Sequence, residues 1–558
     1  MSRTAIAACF LGILSFTGSL RAQTIVLGKL LNNYSYISPG LPNYGIAQGS
    51  IFRILGTNLA ESTASQGVPL QTTFSGVTVA VTVSGVTTQA IPYFVSTGQI
   101  NAVLPSRTPV GNGTITVSWG GQTSQPFPIQ VVESAFGLST VLGSVGSGTA
   151  VAQDSNQGGE LLSQTNAANP GEYLTLWGSG LGPVSGDETQ YQTQTNLTGI
   201  PIKVDIGGVS ATVAYSGRSI YPGLDQIDVI VPAGVSGCNV SVVVTANGVP
   251  SNVATIPVAT SGGICSDPEL VPVTPDEYQN LLSLGNVNVG TISLTTLTTT
   301  TPQSGAVTSD TAYATFQKYT ALQSASTSFL QQASVGSCLM AYVDGGATLT
   351  EQGVVVEQPS LMDLMEWRPG GALNAGPQIN VNGPDGSLTL LLASGNYVEP
   401  AGTSPTIIPS TGGAYTFDNF SGGPDIGGFA TSLSVSLTAP LVWTNISAIT
   451  AIKRANGQLV TWIGGIPGSF VDIYGYSYIV QNDTHLAEPL ALYAYFTCSA
   501  PASAGQFTVP AAVLNSLPQS TGGYLYVANE MSQRFSAPGL DLGLLFFGTG
   551  SGISVPFN

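Results

Sequence analysis

Few residues of this chain have the types and spacing that catalysis requires. Asp363 and Glu366 lie three residues apart beside Trp367, and paired carboxylates are the usual device for cleaving glycosidic bonds. No second flanking acid can be assigned to them, so the pattern favours a solvated turn or helix face. A Ser-His-Asp hydrolase would depend on His485, the one histidine of the chain, and no G-x-S-x-G motif accompanies it. The sequence therefore assigns no catalytic residue.

Metal and cofactor sites are equally poorly supported. The segment from Asp154 to Glu160, DSNQGGE, places oxygen ligands at alternate positions before a glycine, as calcium loops do, but it lacks the full twelve-residue pattern. A polar hairpin turn is the favoured interpretation. Zinc needs four nitrogen or sulfur ligands at close spacing, and no C-x-x-C occurs. Asp425 and Asp541 lie in glycine-rich loops, where aspartate commonly bonds to backbone. We expect no metal and no cofactor.

Tyrosine offers a contact chemistry instead, and the chain contains 21 of them. Tyr474, Tyr476 and Tyr478 alternate in the strand-like segment IYGYSYI, so their side chains should share one face of a strand. Rings on an exposed face can stack on sugars or line other ligand sites. We name these three residues as candidate ligand contacts, on the condition that their face is exposed.

Composition limits the class of protein. At about 150 residues per domain, 558 residues suggest three or four domains. Charged residues make up 7% and apolar residues 43%, which is typical of a folded chain. The first 22 residues contain two arginines and no acid, so the remainder has ten cations against 29 acids. Nucleic acid is an unsuitable partner for such a chain, because phosphate binding needs clustered cations.

The N-terminal residues predict export. Residues 1–22 combine Arg3, an apolar stretch from Ala5 to Phe16, and the small residue Ala22 ahead of a cleavage point. A transmembrane anchor would need about 20 apolar residues. A lipobox-like sequence ends at Cys9, but cleavage there would leave almost no apolar region before it. We expect a signal peptide, a secreted or cell-surface protein, and no transmembrane segment in the mature chain.

Export makes the remaining cysteines interpretable as disulfides. Cys238, Cys265, Cys338 and Cys498 are an even number in an oxidising compartment, and four cysteines allow three pairings. Cys238 opens a strand-like segment and Cys265 follows the next one, so an antiparallel hairpin would bring them together. We predict Cys238 with Cys265, which leaves Cys338 with Cys498.

An internal repeat organises the first half of the chain. GSIFRILGTNL from Gly49 recurs as GEYLTLWGSGL from Gly171, an offset of 122. QINAVLP from Gln99 recurs as QIDVIVP from Gln226, and GGQTSQPFPIQV from Gly120 recurs as NGVPSNVATIPV from Asn247, both at an offset of 127. Two copies of one domain are therefore predicted at residues 31–132 and 133–266.

Each copy alternates short segments rich in Val, Ile and Thr with Gly, Pro and Asn turns. This spacing over about 100 residues is typical of an immunoglobulin-like β-sandwich, although the Cys-Trp-Cys core of antibody domains is missing. The motifs resemble the IPT/TIG-like repeats of secreted proteins from soil Acidobacteria, the uncharacterised Solibacter type. The resemblance covers about 230 residues, including CSDP from Cys265. It implies extracellular β-sandwich modules and transfers no catalytic residues.

Residues 267–558 form a third region. Thr274, Pro275 and Glu277 make a capping box that predicts a helix at about 275–284, ended by Gly285. A Thr-rich segment follows, and we expect a strand and then a brief helix between residues 310 and 338. Residues 376–558 alternate strands and turns, which favours a further, larger sandwich-like β-domain.

The predicted function is non-enzymatic. We expect a secreted or cell-surface protein that serves adhesion or binds extracellular polysaccharide or matrix, with weak salt dependence because charges are few. The alternative is an extracellular carbohydrate-active enzyme with its catalytic site in residues 267–558 and the repeats as spacers.

Overall fold

The computed structural model describes residues 24–141, 146–260, 262–268, 270–301, 305–320, 332–350, 353–356, 371–400, 407–481 and 490–558. It confirms the all-β expectation, with three large multi-stranded sheets. The described residues include two α-helices, Pro275–Ser283 (α1) and Ala511–Asn515 (α2). The first has the predicted capping box, in which the Thr274 hydroxyl accepts from the Glu277 backbone N–H. None of the described helices is long and apolar enough to cross a membrane.

The first sheet runs from Val26 to Val132. Its eleven strands are β1 Val26–Asn32, β2 Ile46–Ala47, β3 Ile51–Thr57, β4 Ala64–Ser65, β5 Thr73–Phe74, β6 Val77–Val83, β7 Val86–Val95, β8 Gln99–Val103, β9 Gly111–Trp119, β10 Gln122–Thr123 and β11 Phe127–Val132. In β6 the four valines are buried and the residues between them are partly exposed, which is the pattern of a strand with one face on a core. Residues 86–90 of β7 pair with β6 and residues 91–95 pair with β8. One bent strand thus passes between the two layers of a sandwich.

The second sheet repeats this arrangement from Gly137 to Val258. Its strands are β12 Gly137–Leu138, β13 Ala152–Asp154, β14 Glu160–Leu161, β15 Tyr173–Ser179, β16 Thr195–Asn196, β17 Ile202–Ile206, β18 Val209–Arg218, β19 Asp225–Ile230, β20 Gly237–Ala246, β21 Val249–Pro250 and β22 Ala254–Val258. The order β3-β8-β7-β6-β9-β11 in the first sheet corresponds to β15-β19-β18-β17-β20-β22 in the second. Each copy encloses its own apolar core.

Equivalent residues have the same roles in both copies. The Ser124 hydroxyl accepts from the Val117 backbone N–H at 3.0 Å, and the Ser251 hydroxyl accepts from Val244 at the same distance. The preceding two-residue turns, 120–121 and 247–248, have positive φ at both positions, as the type I′ hairpin turn requires.

The two copies meet across a buried polar contact. Arg218 of the second copy is 1% exposed and donates to the carbonyl of Gly49 in the first copy at 2.7 Å. Its Nε lies 3.2 Å from Asp225 Oδ1, and Asp225 is fully buried. Glu188 accepts from the backbone N–H and the hydroxyl of Ser106, each at 2.8 Å. Since these groups are buried and paired, they fix how one copy sits on the other.

The remaining strands form a fourteen-stranded sheet and a three-stranded sheet. They are β23 Asn286–Thr301, β24 Gly305–Thr320, β25 Cys338–Thr350, β26 Gly353–Val356, β27 Gly371–Ala372, β28 Gln378–Gly383, β29 Gly386–Ala393, β30 Asn396–Val398, β31 Gly412–Asp418, β32 Ala430–Ser436, β33 Val442–Trp443, β34 Gln458–Ile463, β35 Phe470–Gln481, β36 Leu490–Pro501, β37 Gln506–Val509, β38 Tyr524–Phe535 and β39 Leu542–Ser554. The large sheet has the order β26-β25-β36-β35-β38-β39-β23-β24-β30-β29-β28-β31-β32. The Thr-rich segment and residues 305–320 form a long hairpin, β23–β24, so the strand that we expected after residue 310 begins earlier, at Gly305.

Two cores lie on the large sheet. In one, Trp443 and Trp462 of the small sheet pack with residues of β35, β36 and β38. In the other, the β23–β24 hairpin and β39 pack with strands β28 to β32. The large sheet also contacts both repeats: Ile37 and Leu41 pack with Leu492, and α1 packs beside Cys238.

The structure contains two disulfides, Cys238–Cys265 and Cys338–Cys498, which are the pairs expected from the sequence. Cys238 lies in β20, which pairs antiparallel with β22, and Cys265 follows β22. Cys338 and Cys498 lie directly opposite each other in β25 and β36. One bridge thus closes the end of the second repeat, and the other joins two neighbouring strands of the large sheet.

Candidate functional site

Three neighbouring strands of the large sheet place tyrosines on one face. Tyr474, Tyr476 and Tyr478 alternate along β35, as the sequence predicts. Tyr476 lies opposite a tyrosine of β36 on one side and a tyrosine of β38 on the other. The other members of this row are Tyr493 and Tyr495 of β36 and Tyr524 and Tyr526 of β38. We call Tyr476, Tyr478, Tyr493, Tyr495, Tyr524 and Tyr526 the tyrosine ladder.

The rings of the ladder stack on one another. Ring centroids are 5.2 Å apart for Tyr476 and Tyr524, 5.0 Å for Tyr478 and Tyr493, and 5.9 Å for Tyr524 and Tyr526. Stacking of this kind adds to the stabilisation from burial. Because ring faces meet other rings, the ladder does not offer every ring as a flat platform for a sugar.

Exposure divides the ladder into an inner and an outer part. Tyr493 is fully buried and Tyr495 is 8% exposed, whereas Tyr476, Tyr478, Tyr524 and Tyr526 are partly exposed. Burial raises the pKa of Tyr526 to about 12, and it raises the pKa of Tyr476 further. These two phenols therefore stay protonated at physiological pH and can both donate and accept hydrogen bonds.

A glycine in the neighbouring strand makes room for one ring of the ladder. A Cβ atom at Gly552 of β39 would lie 2.1 Å from the ring of Tyr526. The ring therefore lies against the backbone of the next strand, where only glycine leaves enough room.

Tyr474 differs from its two neighbours in β35. Its hydroxyl lies 3.0 Å from Asp472 Oδ2 and 2.8 Å from Glu530 Oε1. Tyr474 is partly exposed like Tyr476 and Tyr478, but its hydroxyl is engaged by two acids.

The two acids differ in the number of hydrogen-bond donors around them. Asp472 is 1% exposed and also accepts from the Ser499 hydroxyl and from Gln332 Nε2, the latter at 3.1 Å. Tyr474 is the side-chain partner of Glu530 within the described part of the chain. One phenol carries one proton and cannot donate to both acids. A proton on one carboxyl would satisfy both contacts, and Glu530, with fewer donors, is the acid that fits.

Electrostatics agree with this proton count. Burial raises the pKa of Asp472 to about 6, although its three hydrogen-bond partners oppose the shift. Burial and the nearby charge of Asp472 raise the pKa of Glu530 to about 8. We call Asp472, Tyr474, Glu530, Ser499 and Gln332 the acid cluster. The neighbouring cavity, lined by Cys238, Tyr278 and Gln332 among others, has a volume of only about 20 Å³.

Several residues that the sequence suggested for catalysis, metal binding or export lie outside the described part of the chain, and one segment lies within it. Asp363, Glu366 and Trp367, as well as His485 and the signal peptide of residues 1–22, lie outside the described residues. Strands β13 and β14 confirm the hairpin at DSNQGGE, where Asp154 accepts from the Asn156 backbone N–H. No group of three or more potential metal ligands occurs in the ranges that the structure describes.

Asp425 and Asp541 bond to backbone, but to distant segments rather than to their own loops. Asp425 accepts from Asn374 at 2.8 Å and Asp541 from Asn288 at 2.7 Å. Asp541 thus connects its glycine-rich loop to strand β23, and Asp425 connects its loop to the segment that precedes strand β28.

The sequence identified two residues of the ladder and, in the acid cluster, Tyr474 alone. A signal for the ladder was present, because Tyr-x-Tyr occurs in each of β35, β36 and β38. The acid cluster gave no such signal, because Asp472 and Glu530 are 58 residues apart and isolated along the chain.

Comparisons with known proteins give little guidance. No protein-family model and no curated protein matches the chain. The full extracellular region of plexin A4 is 12% identical, with 44% of this chain and 19% of that one covered and a TM-score of 0.15, so this chain spans about a fifth of its length. A tetra-tandem repeat from the extending region of a large adhesion protein is 14% identical, with coverage of 94% and 99% and a TM-score of 0.14.

A third similar structure is the SGBP-B protein of the Bacteroides ovatus mixed-linkage glucan utilization locus, solved with a mixed-linkage heptasaccharide. It is 12% identical, with 81% of this chain and 92% of that chain covered and a TM-score of 0.13. Scores of this size are too low to support an argument about function.

Proposed function

We propose that this protein is a secreted, non-enzymatic binding protein that contacts an extracellular polysaccharide or a cell-surface component. The observation that carries the proposal is the tyrosine ladder, in which four partly exposed tyrosines are held in register on two neighbouring strands, β35 and β38. In this proposal Tyr476 and Tyr478 remain ligand contacts, while the hydroxyl of Tyr474, on the same face, is held by Asp472 and Glu530.

The chemistry of the ladder suits binding. A tyrosine side chain joins an apolar ring to a hydroxyl group, and such residues are common at recognition surfaces. Stacked rings are already ordered before a ligand arrives, so little side-chain entropy is lost on binding. Sugars present both hydroxyl groups and apolar C–H faces, which match these two properties.

The proposed organisation follows from the repeat. A signal peptide of residues 1–22 precedes two IPT/TIG-like domains at 31–132 and 133–266, and residues 267–558 form the domain that carries the ladder. The buried contact of Arg218 with Gly49 supports a stiff pair of repeats. A stiff pair suits an adhesive protein, because it holds a binding surface away from its point of attachment.

One observation favours the enzyme alternative. Asp472 and Glu530 are two carboxyls that contact a single phenol, and a raised pKa is typical of an acid catalyst. Against this, Asp472 is buried and both acids already contact the Tyr474 hydroxyl, so a substrate would have to displace that partner.

Polysaccharide pull-down and a glycan array with the purified mature chain test the proposal. The double variant Tyr478→Ser with Tyr524→Ser should lose at least about tenfold in affinity, since stacking on an aromatic side chain contributes about 1 kcal/mol or more per residue. Tyr191→Ser is the matched control, because Tyr191 is 61% exposed and lies outside the ladder.

Two outcomes would contradict the proposal. Equal binding by the double variant and the control, with unchanged melting temperatures, would remove the ladder as the contact surface. Steady release of reducing sugar by the purified protein, abolished in Asp472→Asn, would establish the enzyme alternative.

A further inference from the structure

The first repeat differs in charge from the rest of this acidic protein. Residues 24–132 contain Lys29, Arg53 and Arg107 against a single acid, Glu61. Residues 133–266 contain Lys203 and Arg218 against nine acids. Because charges beyond about 8 Å are largely screened at physiological salt, an anion at the surface of the first repeat responds to this local excess of cations more than to the net charge of −17.

Two of the three cations share one face of the first sheet. Lys29, Leu55 and Gln99 lie side by side on β1, β3 and β8, and Arg53 lies beside Asn101 in the next row along the same strands. Residues opposite each other or two apart on a strand point to the same side of a sheet. Lys29, Arg53, Gln99 and Asn101 therefore form one patch, and all four are partly exposed. We call it the basic face.

The groups of the basic face are held in place by their neighbours. The Arg53 guanidinium lies 4.5 Å from the centre of the Tyr36 ring, and its Nε donates to Asn33 Oδ1 at 3.4 Å. Gln99 Nε2 donates to Asn101 Oδ1 at 2.8 Å. A guanidinium carries five N–H donors in a planar fork that fits a carboxylate, and the contacts of Arg53 with Asn33 and Tyr36 orient that fork without using all of its donors.

The second repeat shows that the fold does not require a cation at the position of Arg53. Thr175 occupies the position of Arg53 and Asp228 the position of Asn101, on equivalent strands of the same topology. Gln226, the counterpart of Gln99, donates to Asp228 at 2.9 Å, and Thr175 donates to Asp228 at 2.8 Å. The polar pair is thus kept in both copies, while the cation is specific to the first. A residue that the fold does not need is free to serve recognition.

We infer that the basic face of the first repeat binds a carboxylate-bearing, acidic polysaccharide. Arg53 and Lys29 would pair with carboxylates, the amides of Gln99 and Asn101 with hydroxyl groups, and the Tyr36 ring would support the guanidinium. This is a second surface, separate from the tyrosine ladder, and it rests on the proposed function in that the ligand is an extracellular polysaccharide. It also changes the expected salt dependence, because charge pairing at the surface weakens as salt rises.

The test compares one polymer with and without its charges. The purified mature chain is passed over immobilised polygalacturonate and over its methyl ester at 50 and 500 mM NaCl. We expect retention on polygalacturonate that falls with salt. The variant Lys29→Gln with Arg53→Thr, which copies the second repeat at position 53, should bind at least about tenfold more weakly. Arg107→Gln is the control, because it removes an exposed cation of the same repeat outside the basic face.

The outcomes separate this inference from the proposed function. Equal retention on polygalacturonate and on its methyl ester would show that the basic face does not bind carboxylates. An equal loss of affinity in the Arg107→Gln control and in the Lys29/Arg53 variant would show the same. Either result leaves polysaccharide binding itself intact. If the protein is retained on neither polymer and binds no other glycan, both this inference and the proposed function are overturned. Self-association in sedimentation runs, abolished in the Lys29/Arg53 variant, would show that the face instead binds the acidic part of a second copy.

Discussion

Arg218 and Gly49 are joined across the boundary between the two repeats, by a 2.7 Å hydrogen bond from a buried guanidinium to a backbone carbonyl. The same guanidinium pairs with Asp225, which also accepts the backbone N–H groups of Gly180 and Leu181. One side chain therefore links the two sandwiches and neutralises a buried acid.

Removing that guanidinium should be costly. We expect Arg218→Ala to lower the free energy of unfolding by about 3–5 kcal/mol, because it leaves the buried Asp225 without its counter-ion. Urea unfolding followed by tryptophan fluorescence measures the change. Lys203→Ala is the control, because Lys203 is 61% exposed in its pair with Asp205, and it should cost no more than about 1 kcal/mol. Similar values for both variants would show that the Arg218 contact does not hold the repeats together.

The acid cluster should make stability fall as pH rises. Burial raises the pKa of Asp472 to about 6 and that of Glu530 to about 8, so the folded state retains protons that the unfolded state has already released. Stability from these groups is fully present below about pH 4 and is lost as pH rises to about 8.

Unfolding by urea at pH 5, 7 and 9 tests this expectation. Glu530→Gln should remove the fall in the free energy of unfolding between about pH 6 and pH 8. Glu160→Gln, at an exposed glutamate, should leave that fall unchanged. If the free energy of unfolding of Glu530→Gln depends on pH as that of the parent protein does, Glu530 is not the group that holds the proton.

The Cys238–Cys265 bridge should contribute substantially to stability. It closes a loop with a sequence separation of 27, and the chain-entropy model assigns about 3 kcal/mol to a loop of this order. The double variant Cys238→Ala with Cys265→Ala should lose that amount in urea unfolding. Peptide mapping without reduction should recover both native pairs, and a Cys238–Cys338 peptide would show that the pairing is wrong.

The two repeats offer a matched pair of substitutions. Ser124 and Ser251 each accept a backbone N–H at 3.0 Å and are buried. Replacing either with alanine leaves a buried donor unpaired, which costs about 1–3 kcal/mol. We expect the two variants to lose similar amounts of stability by calorimetry. A large loss at one position and none at the other would mean that the two copies do not use this serine in the same way.

The repeat could be predicted because its residues are tied to local geometry. The turns at 120–121 and 247–248 need positive φ, and the valines of β6 alternate with the pleat of the strand. Such requirements leave a pattern in one stretch of chain, and both copies show it. The helix at Pro275–Ser283 could be predicted for the same reason, since Thr274 and Glu277 are three residues apart.

The site could not be predicted to the same degree, because it depends on which strands are neighbours. Tyr476 touches Tyr524 only because β35 lies between β36 and β38, an order that does not follow the chain. The contact of the Tyr474 hydroxyl with Glu530 likewise joins residues of two different strands. Pairing between distant segments is decided by the packing of the whole domain, and a single sequence records it weakly.

The parallel pairing of β23 with β39 has a consequence for biosynthesis. Val289 lies beside Leu542, and the register continues without a break to Thr300 and Ile553. While a ribosome is still making the intervening residues, one edge of β23 has no partner strand, and an open edge is a template for aggregation. The two repeats, whose sheets close within about 120 residues each, can complete their folding long before that edge is covered. A chain interrupted before residue 542 would therefore leave finished repeats attached to an incomplete sheet, a state that proteases and chaperones could distinguish from the finished molecule.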